Sequence, residues 1–147
     1  MEPTHLEAAI AVPDAQEGAG TLRLILRITN SGESRTALLN PDMGIPSPDM
    51  KWPYSLETYR TSMLISYGYL SIAVTDANGE TIPQRSISTW ATPMLQPKLE
   101  LEPGESIELM IPIGELHALQ PGREYGVAIE YGDGESRVAA RGCIAVG

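Results

Sequence analysis

A single cysteine, Cys143, stands in a chain of 147 residues, so no internal disulfide can form. Basic residues are scarce: 10 Lys and Arg against 19 Asp and Glu leave a formal net charge of -9. Such a field repels phosphate backbones and anionic lipid, which argues against nucleic-acid partners and polybasic membrane contacts. Long apolar runs are missing too. The longest uncharged stretch, Thr61 to Thr75, is interrupted by Ser, Thr, Tyr and Gly. It falls short of the roughly 20 apolar residues that a membrane helix needs. The first residues, Met-Glu-Pro-Thr-His-Leu-Glu, show neither a basic n-region nor an apolar h-region. The expectation is a soluble protein without membrane insertion, cytoplasmic by default and extracytoplasmic if an export signal has been removed.

The motifs of common chemistries are also lacking. No Gly-x-Ser-x-Gly elbow, P-loop or dinucleotide fingerprint occurs. The two histidines, His5 and His117, have no His or Cys at ligand spacing, and both read as surface residues. Met43, Met50, Met63 and Met94 suit gap filling under long loops better than a soft-metal site. Asp42, Asp49 and Glu57 have no EF-hand-like spacing and read as solvated acids. Cys143 shares strand parity with Arg137 and Arg141, away from Val138, Ile144 and Val146, and only a bulge at Gly142 would return it to the core. No base is assigned to it as a nucleophile. No catalytic residue, metal or cofactor is therefore expected.

What the chain does hold is period-two alternation. Leu22, Leu24, Leu26 and Ile28 fall on one parity, with Arg23, Arg27 and Thr29 on the other. Leu6, Ala8, Ile10 and Val12 predict an edge strand. Further strands are expected over Leu70 to Thr75, Ile107 to Ile113, Tyr125 to Tyr131 and Arg137 to Val146. Turns are signalled at Asn78-Gly79, Pro103-Gly104, Pro121-Gly122 and Asp133-Gly134. One short helical piece is expected, over Gly114 to Leu119. No repeat or linker divides the sequence, and 147 residues suit a single domain spanning 1–147. Short strands joined by Gly and Pro turns predict an all-β, antiparallel sandwich.

Two segments break the alternation, Asn40 to Ser62 and Ser86 to Pro97. Loops of that length are uncommon in compact domains and are often functional. The first carries Pro41, Pro46, Pro48 and Pro53 around Trp52, Tyr54 and Tyr59, and the second carries Trp90. Prolines restrict the free loop, and aromatic rings supply contact area at low entropic cost. Trp52, Tyr54, Tyr59 and Trp90 are the candidate binding residues. The competing reading has them plugging one end of the core.

The run Leu119-Gln120-Pro121-Gly122-Arg123-Glu124-Tyr125-Gly126-Val127 resembles the E–F corner of fibronectin type III and related immunoglobulin-like domains. In those domains a tyrosine buries its ring and bonds its hydroxyl to backbone at the turn. The order of the 22–30 strand, Val74-Thr75-Asp76-Ala77-Asn78-Gly79, Leu101-Glu102-Pro103-Gly104-Glu105-Ser106 and the Tyr125 corner is similar to bacterial immunoglobulin-like accessory domains. It is also similar to the intracellular proteinase-inhibitor type of bacterial sandwich. The resemblance implies an immunoglobulin-like sandwich of seven to nine strands without the paired cysteines of antibody domains. It transfers no catalytic motif, because His-Glu-x-x-His is missing. The functional expectation is a non-catalytic binding or accessory domain that recognises a protein or other ligand through end loops. The alternative is an acidic inhibitor or immunity-type protein that blocks a basic protease or toxin.

Overall fold

The computed structural model describes residues 6–12, 22–40, 56–84, 98–132 and 137–146. Its elements in chain order are β1 (Leu6–Ala11), β2 (Leu24–Asn30), β3 (Thr36–Leu38), α1 (Leu56–Ser66), β4 (Leu70–Thr75), β5 (Leu99–Leu101), β6 (Ser106–Ile111), α2 (Ile113–Leu116), β7 (Glu124–Gly132) and β8 (Arg137–Ala145). Every strand pair is antiparallel. Strands β1-β2-β6 form one sheet, β4-β7-β8 a second, and β3-β5 a two-stranded ribbon. The chain is an all-β antiparallel sandwich.

Alternation does what it predicts. Leu24, Leu26 and Ile28 of β2 face inward, opposite Ile111, Leu109 and Ile107 of β6. From the other sheet come Leu70 and Val74 of β4, Tyr125, Val127, Ile129 and Tyr131 of β7, and Val138 and Ile144 of β8. These side chains join in one cluster between the sheets. Burial of each large aliphatic side chain contributes about 1.5–3 kcal/mol, so this layer dominates the stability.

The two open sides of the sandwich are closed differently. On one side β1 runs alongside β8, with Ile10 lying over Gly142. On the other, α1 packs against both β4 and β6. A helix across two strand edges covers backbone groups that would otherwise invite pairing with another chain.

Helix α1 corrects the sequence expectation, which left Asn40 to Ser62 irregular. Its Thr58, Thr61, Ser62, Met63 and Leu64 are buried. Thr58, Thr61, Ser62 and Ile65 have the i, i+3, i+4, i+7 spacing of one helix face, but most of them are polar. A hydrophobic-periodicity reading finds no stripe there. The helix stops at Gly68, whose φ of 79° is left-handed. Tyr69 N–H donates to Leu64 O at 2.9 Å and Gly68 N–H to Ile65 O at 3.0 Å, the paired bonds of a Schellman ending. The expected short helical piece is α2, displaced one residue toward the N-terminus from the predicted Gly114 start.

Candidate functional site

The corner around Tyr125 is fixed from within. Tyr125 is 3% exposed, and its hydroxyl accepts a 2.8 Å hydrogen bond from Gln120 N–H. Gly122 N–H donates to Val146 O at 2.8 Å, and Val146 N–H donates to Arg123 O at 2.9 Å. The corner is thereby tied to the end of β8. The neighbouring turn after β4 is pinned through Asp76, whose Oδ1 accepts Asn78 N–H and Glu80 N–H, each at 2.9 Å. Gly79 N–H donates to Asp76 O at 3.0 Å. The chain then returns only as far as an isolated Thr75–Thr81 bridge, a shorter hairpin than Asn78-Gly79 suggests.

These two turns enclose a cleft of about 310 Å³ lined by Asp76, Ala77, Asn78, Gly122, Arg123 and Glu124. Its lining offers a guanidinium donor, two carboxylates and an amide. Chemically, that set can donate hydrogen bonds to, and accept them from, a polar or charged group. Sequence reading found both turns but did not pair them, because turn residues carry no sign of which other turn they meet.

A second hollow lies on the outer face of the β4-β7-β8 sheet. It holds about 410 Å³ and is lined by Ala73, Thr75, Gly126, Val127, Ala128, Arg141, Gly142 and Cys143. Its floor is open because the outward positions are small. A Cβ on Gly126 would stand 3.0 Å from Thr75 Oγ1. Cys143 is a free, exposed thiol on this face, as strand parity predicts.

The four aromatic candidates fare unevenly. Trp52, Tyr54 and Trp90 lie outside the described residues. Tyr59 is on α1, within the stretch expected to be irregular, and its side chain lies outside the described residues. His5, Met43, Met50 and Met94 also lie outside them. His117 is a correction: it is 1% exposed, not a surface histidine. It follows α2, bridges Gln84, and sets its Nδ1 3.2 Å from Ile82 O. Tertiary packing placed it there, and a lone histidine gives no sequence signal of that. Met63 is fully buried, as a gap filler would be.

Among the described residues, no group of three or more His, Cys, Asp or Glu is placed to hold a metal ion. No helix among them is long and apolar enough to cross a membrane. At the surface of the β3-β5 ribbon lies an exposed ion-pair cluster. There Arg35 Nε donates to Glu102 Oε1 at 2.7 Å and Nη1 to Glu100 Oε2 at 3.2 Å. The Glu102 hydrogen bond, then the charges of Glu102 and Glu100, raise the guanidinium above its ordinary pKa.

No family model matches the chain, and no curated protein matches it. Among solved structures it is similar to part of the crystal structure of Bacteroides uniformis beta-glucuronidase, at 12% identity and a TM-score of 0.36. The match covers 97% of this chain and 13% of that one. A likeness at this level carries none of that enzyme's chemistry to this chain.

Proposed function

We propose that the chain is a non-catalytic binding or accessory domain that recognises a protein or other ligand through loops at one end. Its kind would be the immunoglobulin-like, fibronectin type III-like sandwich. The observation that carries this reading is the 310 Å³ cleft between the Asp76 turn and the Tyr125 corner. Both turns are held by their own hydrogen bonds, so little conformational freedom is lost when a ligand docks. Arg123 and Glu124 supply opposite charges at the mouth. The aromatic residues Trp52, Tyr54 and Trp90, with Tyr59 of α1, extend the proposal to the 40–62 and 86–97 segments.

The net charge of -9 favours a basic protein as partner and supports the second reading, an acidic inhibitor or immunity-type protein. The test is affinity capture from an extract of the source organism on immobilised wild type, Arg123→Glu and Trp52→Ala. A protein retained by wild type and lost from either variant, with melting midpoints unchanged, supports end-loop recognition. Retention equal on all three surfaces defeats it. If the captured protein is a hydrolase or toxin whose activity falls in a 1:1 titration, the inhibitor reading takes over.

A further inference from the structure

The outward positions of β7 and β8 form a ladder with an unusual rhythm. On β8 the exposed residues are Arg137, Ala139, Arg141, Cys143 and Ala145. The register sets Arg137 opposite Gly132, Ala139 opposite Glu130, Arg141 opposite Ala128, Cys143 opposite Gly126 and Ala145 opposite Glu124. β4 adds Ser71 and Ala73 beside Glu130 and Ala128. The charged residues of these outward rungs are two Glu and two Arg, so this face is neutral on a chain of net charge -9. Arg137 reaches Glu130 at 3.7 Å on the exposed surface. Arg141 has no ion pair among the described residues.

We propose that this sheet face is the interface of a two-fold dimer, with Glu130 of each copy entering the gap between Arg137 and Arg141 of the other. A two-fold axis parallel to the strands and midway between β7 and β8 lays β8 of one copy over β7 of its partner. Rungs stay level under that rotation. Glu130 of one copy therefore stands above Ala139 of the other, because the two residues share a rung. Arg137 and Arg141 lie two residues to either side, about 7 Å along the strand. Stacked sheets sit about 10 Å apart, a gap that facing Arg and Glu side chains span together. Ala139 leaves the space between the arginines empty. Ala73, Gly126 and Ala128 let the faces approach without steric conflict, and the symmetry supplies each ion pair twice.

The occupant is a second copy because the charges complement themselves under this rotation. A uniformly basic partner would meet both arginines at the centre of the face. Three strands about 4.8 Å apart give a narrow patch, smaller than the roughly 800 Å² per partner of a standard interface. The dimer is accordingly concentration-dependent. The rest of each copy repels the other, so about 0.15 M salt, which screens beyond about 8 Å, favours association over very low salt.

Sedimentation velocity on the full chain from about 10 µM to 1 mM tests this, together with a short bis-maleimide reacting at Cys143. Under the proposed axis the two thiols lie level on facing sheets and one strand apart. Wild type should shift toward dimer with concentration and give a cross-linked dimer band. Glu130→Arg should weaken association at least tenfold, and Glu130→Arg combined with Arg137→Glu and Arg141→Glu should restore it. All substituted positions are exposed, and circular dichroism melts confirm folding of each variant. A wild type monomeric to 1 mM overturns the proposal. So does a dimer indifferent to Glu130→Arg, or a folded triple variant that fails to recover.

Discussion

Tyr125 and Asn30 each tie a turn to the sandwich through side-chain to backbone hydrogen bonds. Tyr125→Phe removes one neutral bond to Gln120 N–H and should cost about 1 kcal/mol, read as a lower urea midpoint at unchanged m. Asn30 does more. It is fully buried, with Nδ2 donating to Ser34 O and Leu101 O at 2.8 Å each and Oδ1 accepting Gly32 N–H at 3.0 Å. Its backbone also bonds Gly104 and Glu105 across the β5–β6 turn. Asn30→Ala strands the buried Leu101 carbonyl and should cost about 2–3 kcal/mol. Asn30→Asp should cost more, because a carboxylate would then face two carbonyl oxygens. Arg35 is the counterexample at this scale. Its raised pKa means that deprotonation of the guanidinium removes its contribution only in strong alkali. The pair is fully solvated, so Arg35→Ala should leave the neutral-pH melting midpoint nearly unchanged.

Among the elements, α1 carries the sharpest expectations. Ser62 is buried, and its Oγ has no hydrogen-bond partner among the described residues. Ser62→Ala should therefore be neutral or slightly stabilising in thermal unfolding, against the usual trend for buried positions. Gly68→Ala forces a Cβ into a left-handed residue and should cost about 1 kcal/mol, although nothing crowds the position. The strands were legible because Leu, Ile and Val alternate with polar residues in β2, β4, β6 and β7. The Tyr125 corner was legible because its spacing is fixed by one turn. Helix α1 was not, since Thr58, Thr61 and Ser62 occupy its inward face, and neither was the burial of His117. The end cleft and the small-residue hollow depend on which rung meets which. Gly126 beside Thr75 follows from pairing of β4 with β7, more than 50 positions apart, and no local pattern encodes it.

For the molecule as a whole, the charge balance and the topology set the behaviour. A net charge of -9 opposes compaction, so the melting midpoint should rise between about 10 mM and 300 mM sodium chloride, as calorimetry would show. The pairing of β2 with β6 has a temporal consequence during synthesis. Leu24 meets Ile111, which emerges from the ribosome roughly 90 residues later. At 5–20 residues per second the wait is roughly 4–18 s. Throughout it Leu24, Leu26 and Ile28 can pair with β1 but have no β6 to complete their sheet. A nascent chain stalled before residue 106 should therefore stay protease-sensitive and bind chaperones, and lengthening it past β8 should release both at once.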